Sequence, residues 1–424
     1  MSKYQAIKGT YDVMPAESAA WQHLEAVIRG QARSYGFREV RTPVFEDTAL
    51  FVKGTGEATD IVQKEMYTFT DKGQRSLTLR PEGTPPLIRA LVEHNALKES
   101  PCVKAYYLAP MFRYERPQAG RLRQHTQFGV EIVGSASPVA DVEVITILYT
   151  TLQRLGLQGL KLRLNSVGCP ACRPAYREKL VEHFRPRLGE LCDNCKDRYA
   201  RNPLRILDCK VDHDKVQDAP ASFDSLCPAC AEHFGQVKAL LGSLAIPFTL
   251  DKLLVRGLDY YTRTAFEVVS EHLGAQDALG GGGRYDGLVE ELGGDPSPGV
   301  GFGAGLERWL LALRNQGVAL PAAPRLDIFI ATLGGPAVAK AVELAAGFRA
   351  KNYSCEQDLL GRSLKAQLRE ANKLNARYVL VIGEDELAKG KGMLKDMDTH
   401  QQQEVPFAEL ADNIKAYCEC SCPG

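Results

Sequence analysis

The sequence predicts an α+β domain built on a mainly antiparallel sheet, broken by a small inserted subdomain, followed by a separate α/β domain. Three observations predict this. Short apolar runs bounded by Gly, Pro or charged residues recur in the first part of the chain without regular helical crossovers, which favours an antiparallel sheet with flanking helices over a doubly wound one. Seven cysteines and many charges crowd into about 169–235, a change of composition inside that domain. Beyond the stretch Gln316 to Pro324, with prolines at 321 and 324, strand-like and helix-like patterns alternate, as in an α/β unit with a largely parallel sheet. The expected boundaries are 1–321 for the first domain, insertion included, and 326–424 for the second.

Along the chain, Trp21, Leu24, Val27 and Ile28 recur at helical spacing between Pro15 and Gly36, with Pro15 suited to a first turn, so an amphipathic helix opens the fold. Leu77–Leu79, Ala105–Ala109 and Val130–Val133 read as strands; Pro174–Phe184 reads as a helix of the insertion. Strand-like sequence resumes at Leu253–Val255 and Ala265–Val269, ahead of a Gly-rich region from Gly280 to Gly305. In the second domain Leu326–Ala331 and Tyr378–Ile382 are buried-strand runs. Val338, Ala341, Val342, Ala345 and Phe348 share one helical face, and Leu364, Leu368 and Ala371 share another. A short Cys-rich tail, Cys418–Cys422, is the one biased segment at the end.

Composition sets outer limits. Of 424 residues, 45% are hydrophobic and 25% charged, as in a globular enzyme, not a disordered or fibrous chain. Lys plus Arg equals Asp plus Glu at 52 each, so no whole-molecule field draws a polyanion, and a nucleic acid needs local patches. The amino terminus lacks the apolar core of a signal peptide, and no apolar run approaches the ~18 residues of a membrane span, which points to a cytoplasmic protein without a membrane. In such a compartment twelve cysteines point to metal binding or simple burial, not to disulfides.

Two constellations carry chemistry. The first joins Leu79-Arg-Pro-Glu-Gly-Thr84 to Pro110–Gln118 and Gly120–Glu131, where arginines 113, 116, 121 and 123 surround a Pro-Gln-Ala-Gly turn. That spacing suits a hairpin that presents guanidinium groups to phosphates, and equally a solvated charged hairpin. The second is Gly280-Gly-Gly-Gly-Arg-Tyr-Asp286 with Gly299–Arg308 downstream; alternating glycines at 299, 301, 303 and 305 put bare backbone on one face of a strand, for close approach of a ligand or for tight packing.

Taken together with Arg256-Gly-Leu-Asp-Tyr-Tyr-Thr-Arg-Thr-Ala-Phe-Glu267, these motifs resemble the class II aminoacyl-tRNA synthetases over nearly the whole chain. Glu39–Glu65 is similar to motif 1, Pro110–Glu131 to motif 2 and Gly299–Leu313 to motif 3; Leu79–Thr84, Arg256–Glu267 and Gly280–Asp286 look like histidine-specific signatures. The resemblance implies the class II synthetase fold, a terminal anticodon-binding domain, a homodimer, and activation of L-histidine by ATP with Mg²⁺ before transfer to tRNA(His). It places Arg113 and Arg256 at the α-phosphate, and Arg121, His125 and Arg308 around the rest of ATP. It puts Glu82 and Thr84 at the histidine α-amino group, and Gln127, Glu131, Tyr260, Tyr261 and Tyr285 around the imidazole. Arg116 and Gln118 would approach the tRNA acceptor end, and Arg362, Lys365, Arg369, Lys373 and Arg377 would meet phosphates in the terminal domain. A site that engages both ring nitrogens discriminates by about 10⁴–10⁵ without proofreading, so no editing site is expected. The chain departs from the family pattern at His125-Thr126, where a Phe-His pair is usual.

Two alternatives stand beside this reading. One is a catalytically silent, synthetase-like regulatory subunit of ATP phosphoribosyltransferase, which typically lacks the terminal domain and degrades the adenylate signatures; Arg113, Arg256, Gln127, Glu131 and the terminal domain argue against it. The other is a class II synthetase for proline, threonine or glycine, against which Arg256–Glu267 argues. Finally, Cys169-x-x-Cys172 and Cys192-x-x-Cys195 stand at zinc-ribbon spacing, with Cys227-x-x-Cys230 as a third pair and Cys209 between, so the insertion is expected to hold structural Zn²⁺ or else to bury small thiols.

Overall fold

The computed structural model describes residues 4–57, 59–273, 277–410 and 414, so the Cys418–Cys422 tail lies outside the described residues. The chain divides into two compact units, Met1–Pro321 and Ala322–Gly424. No helix among the described residues is long and apolar enough to cross a membrane.

The strands of the first unit are β1 (Arg38–Glu39), β2 (Phe45–Asp47), β3 (Tyr67–Thr70), β4 (Ser76–Leu79), β5 (Val103–Phe112), β6 (Gln124–Val133), β7 (Leu160–Ser166), β8 (Phe248–Leu250), β9 (Thr262–Ser270), β10 (Ala278–Arg284) and β11 (Gly299–Gly305). Eight of them form one sheet in the order β1-β5-β6-β11-β10-β9-β7-β8, and β2-β4-β3 form a smaller one. Every pairing inside the large sheet is antiparallel; only the edge pairs β1 with β5 and β7 with β8 are parallel. This is the predicted α+β architecture. The opening helix, Pro15–Ser34, also forms as its periodicity requires, burying Trp21, Leu24 and Ile28.

Side-chain alternation decides what each face of the sheet does. Phe128, Val130 and Ile132 of β6, Val300, Phe302 and Ala304 of β11, and Phe266 and Val268 of β9 point to one side, where helices Pro15–Ser34, Pro138–Arg154, Pro228–Ser243 and Leu306–Asn315 complete the main core. The intervening residues, His125, Gln127 and Glu131 of β6 and the glycines of β11, face the other side. Leu253–Val255 is not the strand its apolar run predicts. Asp251 accepts the backbone N–H of Leu253 at 3.0 Å through its side chain and that of Leu254 through its carbonyl, turning the chain before a ladder can continue.

One buried ion pair ties this core to the Gly-rich region. Arg284, wholly buried, pairs with Asp141 and donates to the carbonyls of Ser135 at 2.8 Å and Ser137 at 3.1 Å. Truncating one partner strands the other's charge in low dielectric, which costs about 3–5 kcal/mol. Asp141→Ala is therefore expected to lower the urea midpoint of the first unit without changing the slope of its transition; a midpoint like that of the unaltered protein would contradict the pairing.

The insertion folds around its own small core. Helices Arg173–Phe184 and Asp193–Arg201 enclose Tyr176, Leu180, Phe184, Leu191, Ile206 and Leu207 together with Cys195 and Cys209. In the second unit, strands β12 (Ile328–Thr332), β13 (Cys355–Gln357), β14 (Tyr378–Ile382), β15 (Lys391–Asp396) and β16 (Gln402–Pro406) form a sheet in the order β13-β12-β14-β15-β16. Only β13, β12 and β14 are parallel; β14-β15-β16 are antiparallel, so the sheet is mixed where the sequence predicts a largely parallel one. The helix Gly335–Ala350 also turns differently from its apolar pattern: it buries Ala337, Ala341, Ala345 and Phe348, leaving Val338 and Val342 about half exposed. Alanines on the inner face let the helix lie close to the sheet, which the bulkier valines would hold off.

Candidate active site

The hairpin of β5 and β6, joined by the loop 113–123, carries most of the predicted site. Arg113 follows β5 directly and is anchored by a 2.8 Å bond from its Nε to the carbonyl of Pro81. Arg121, paired with Glu115, sits in the loop. Arg308 comes from the helix Leu306–Asn315 and donates to the carbonyls of Gly120 and Ala278, both at 3.0 Å. Arg256 precedes β9 and pairs with Glu267 at 2.7 Å; its Nε is buried and, among the described residues, has no hydrogen-bond partner. These four arginines, with His125 and Gln127, line one cleft. Four guanidinium groups around one concavity, two of them paired with Glu115 and Glu267, suit an anionic ligand.

His125 is buried in that cleft, and burial together with Arg113, Arg308 and Arg121 holds its imidazole down to about pKa 3. It is therefore a neutral flat ring at ordinary pH, adding no charge where a Phe is usual. Its neighbour Thr126 donates its backbone N–H to Glu307 at 2.8 Å; burial pushes the Glu307 carboxyl up to about 7.

Next to the arginines along β6 lies a cluster of opposite character, in which Glu82 and Glu131 are buried. Glu82 accepts hydrogen bonds from the hydroxyls of Thr55 and, at 3.0 Å, Tyr260. Glu131 accepts from Thr84 at 2.7 Å and from Tyr285. The tyrosine rings pack against one another, Tyr260 to Tyr261 at 4.7 Å and Tyr260 to Tyr285 at 5.8 Å between centroids. Burial raises the pKa of Glu82 and pushes that of Glu131 up to about 8, outweighing the hydroxyls that favour the ionised forms. Four hydroxyl donors satisfy the two carboxyl groups, two to each, so the cluster is a fully hydrogen-bonded polar site in an aromatic setting. Gln127 joins the two halves: it lines the cleft and accepts from Tyr107 at 3.2 Å.

The Gly-rich strands make room for these side chains. A Cβ on Gly301 would stand 1.7 Å from Glu131 Oε2, one on Gly303 2.5 Å from Gln127 Nε2, and one on Gly281 2.8 Å from Arg256 Nη1. Bare backbone thus serves mainly to seat the site's own residues, while Gly281 and Gly303 also line the cleft.

Residues 9–309 match the family model for histidyl-tRNA synthetase, and residues 327–417 match that of an anticodon binding domain. The chain belongs to the histidyl-tRNA synthetase family. A histidine–tRNA ligase of Desulforamulus reducens is 51% identical over 411 residues, covering 96% of this chain and 98% of the relative. Another from Moorella thermoacetica is 53% identical over 413 residues, 97% of each. Among solved structures, an apo histidyl-tRNA synthetase of S. aureus superposes with a TM-score of 0.83 at 39% identity, covering 97% of this chain and all of that one. The class II synthetase fold expected from the motifs is therefore present.

Against the sequence expectations, the structure brings Arg113, Arg121, His125, Arg256 and Arg308 to one cleft and Glu82, Thr84, Glu131, Tyr260, Tyr261 and Tyr285 to one cluster. Arg116 and Gln118 lie apart from both, exposed on the loop 113–123. Sequence reasoning missed the roles of Thr55 and Tyr107, whose partners come from other elements, and of Glu115 and Glu267, which pair with Arg121 and Arg256 within their own motifs. In the second unit Arg362 is engaged by Asp358 and Glu370, whereas Lys365, Arg369 and Lys373 are exposed along one helix. The cysteines pair differently from the ribbon spacing: Cys169 and Cys172 meet Cys227 and Cys230, and Cys192 and Cys195 meet Cys209 and Asp212. Spacing alone could not show this, because the chain leaves the sheet at the first pair and returns to it just after the third.

Proposed function

We propose that this chain is a histidine–tRNA ligase that joins L-histidine to ATP, releasing pyrophosphate, and then passes the histidyl group to the 3′ end of tRNA(His). The observation that carries this reading is the bipolar site, an arginine cleft beside a pocket of buried carboxylates, which suits a polyphosphate and a cationic amino acid held end to end. Arg113 and Arg256 approach the α-phosphate from two sides and stabilise the charge that develops as the histidine carboxylate attacks and pyrophosphate leaves. Arg121 and Arg308 hold the remaining phosphates, and His125 offers its neutral ring to adenine. Mg²⁺ arrives with ATP; of the three carboxylates lining the cleft, Glu307 is engaged by the Thr126 N–H, which leaves Glu115 and Glu267 as those suited to it.

In the pocket, Glu82 and Thr84 take the α-ammonium, and Gln127, Glu131, Tyr260, Tyr261 and Tyr285 take the two imidazole nitrogens. In the transfer step a terminal ribose hydroxyl of tRNA attacks the adenylate carbonyl, AMP leaves, and a non-bridging phosphate oxygen accepts the proton. The unit from Ala322 is the anticodon-binding domain in this reading, with Lys365, Arg369 and Lys373 as phosphate contacts. Exposed Val44 and Phe45, within the motif 1 stretch, and Phe69 on β3 of the same small sheet as Phe45 favour a homodimer through that face.

Charging of a tRNA(His) transcript with labelled histidine tests the assignment. The family resemblance brings Arg116 and Gln118 to an acceptor end that carries the extra 5′ guanylate typical of tRNA(His), so removing that guanylate is expected to lower charging by about tenfold or more, and Arg116→Ala to erode this difference. No charging of either transcript would overturn the function; equal charging of both would overturn the role of Arg116 and Gln118.

A further inference from the structure

We propose that the insertion holds two zinc ions, one at Cys169, Cys172, Cys227 and Cys230 and one at Cys192, Cys195, Cys209 and Asp212. Within each group the candidate ligand atoms lie within 4.8 Å of one another. The sulfur separations are 3.7 Å for Cys169–Cys172, 3.8 Å for Cys169–Cys227 and 3.7 Å for Cys192–Cys209. A disulfide requires about 2.05 Å, so these are not oxidised pairs. Zinc–thiolate bonds of about 2.3 Å in a tetrahedron give sulfur–sulfur edges of about 3.8 Å, which matches.

The backbone gathers each group of sulfurs. All three C-x-x-C pairs stand at helix starts, before or within the first turns of Arg173–Phe184, Asp193–Arg201 and Pro228–Ser243. Backbone N–H groups point at sulfur, from Cys169 to Cys172 at 3.1 Å and from Asp212 to Cys209 at 3.5 Å. Asp212 is a nearly fully buried carboxylate whose Oδ2 accepts from the Cys192 N–H at 2.8 Å and lies 3.9 Å from the Cys209 sulfur. Lys215 engages Asp212 through Oδ1 at 3.1 Å, while Oδ2 faces the three thiols, so three sulfurs and one carboxylate oxygen converge on one point as a donor set. The insertion also needs a staple: its apolar core is small, and small subdomains commonly rely on a metal.

The two sites do different work. The first clamps the point where the insertion leaves β7 to the start of the helix Pro228–Ser243, which packs back on the main core. The second closes a loop from Cys195 to Cys209, and the residues between its ends reach the active site. Arg205 donates to the carbonyl of Arg256 at 3.0 Å, and Asn202 to Asp259 at 3.2 Å. The second metal thereby positions the segment that carries Arg256. The metal assignment stands apart from the proposed reaction; only this positioning rests on it.

Elemental analysis of the full chain, purified under reducing conditions without chelator or added metal, is expected to find two zinc per chain. Cys230→Ser and Cys209→Ser should each leave one. X-ray absorption at the zinc edge of the unaltered protein, which does not depend on the variants folding, should give about 3.5 sulfurs per zinc at about 2.3 Å. Folded, fully reduced protein without zinc overturns both sites. A zinc content unchanged by Cys209→Ser, or sulfur-poor coordination, overturns the second. For the positioning role, Cys209→Ser is expected to lower kcat for pyrophosphate exchange about tenfold with the KM for histidine unchanged; loss of one zinc with kcat intact removes that role and leaves the metal sites standing.

Discussion

Arg256→Ala is expected to lower histidine-dependent exchange of pyrophosphate into ATP by about 10²- to 10³-fold, mainly in kcat, the usual cost of removing one preorganised donor from a developing anion. The size follows from the setting. Arg256 is half-buried beside Gly281 and paired with Glu267 at 2.7 Å, so its fork is held in place before substrate arrives. Arg256→Lys should recover only part of the loss, because an ammonium keeps the charge without the planar fork. Glu267→Gln separates orientation from charge: it leaves the guanidinium but loosens its hold, and should cost less than the alanine variant. Circular dichroism on each variant distinguishes a chemical loss from unfolding. An Arg256→Ala protein that exchanges pyrophosphate at the unaltered rate would remove Arg256 from the chemistry.

Glu131→Ala is expected to reduce kcat/KM for histidine by about 10³-fold or more, because a site built to hydrogen-bond a polar group loses most of its discrimination when that bond is gone. Thr84 and Tyr285, which now donate to Glu131, would be left without their acceptor, adding to the loss. The same carboxylate makes stability depend on pH. Its folded pKa of about 8 stands above the ordinary carboxylate value, so the folded state holds its proton where the unfolded chain has released it. Stability should fall as pH rises from about 4.3 to 8, with the full penalty present above that range. Glu131→Gln should remove this decline and leave the protein more stable than its parent at pH 9 while still failing to use histidine. A parent protein whose melting temperature is flat from pH 5 to 9, matched by the variant, would contradict the buried-carboxylate account.

Much of this site was legible in the sequence through its motifs. The family resemblance named Gln127 and Glu131, and the structure supplies the reason they act together: β6 puts Phe128, Val130 and Ile132 on the core side and these two on the other, a pattern the period-two glycines of β11 repeat. Arg113 and Arg121 could be placed because both flank one hairpin turn. Contacts between elements were not legible. Thr55 meets Glu82 across 27 residues, and Tyr107 reaches Gln127 across the β5–β6 ladder, and neither carries a motif of its own. Tertiary context likewise decided the mixed sheet of the second unit: β15, Lys391-Gly-Met-Leu-Lys-Asp396, buries only Gly392 and Leu394, and β16, Gln402–Pro406, is a polar edge strand, so neither carries the apolar run that marks β12 and β14. The regrouping of the cysteines has the same origin, since Asp212 completes the second cluster and no cysteine pattern names it.

The central claim is that the arginine cleft and the carboxylate pocket act on ATP and histidine together. Pyrophosphate exchange into ATP, assayed with each of the twenty amino acids in the presence of Mg²⁺, tests it most directly. Exchange with histidine, and with no other amino acid above about 10⁻⁴ of that rate, is the predicted result. A folded protein that binds histidine yet supports no exchange would contradict the account and identify the pocket as a sensor of histidine and not a site of its activation.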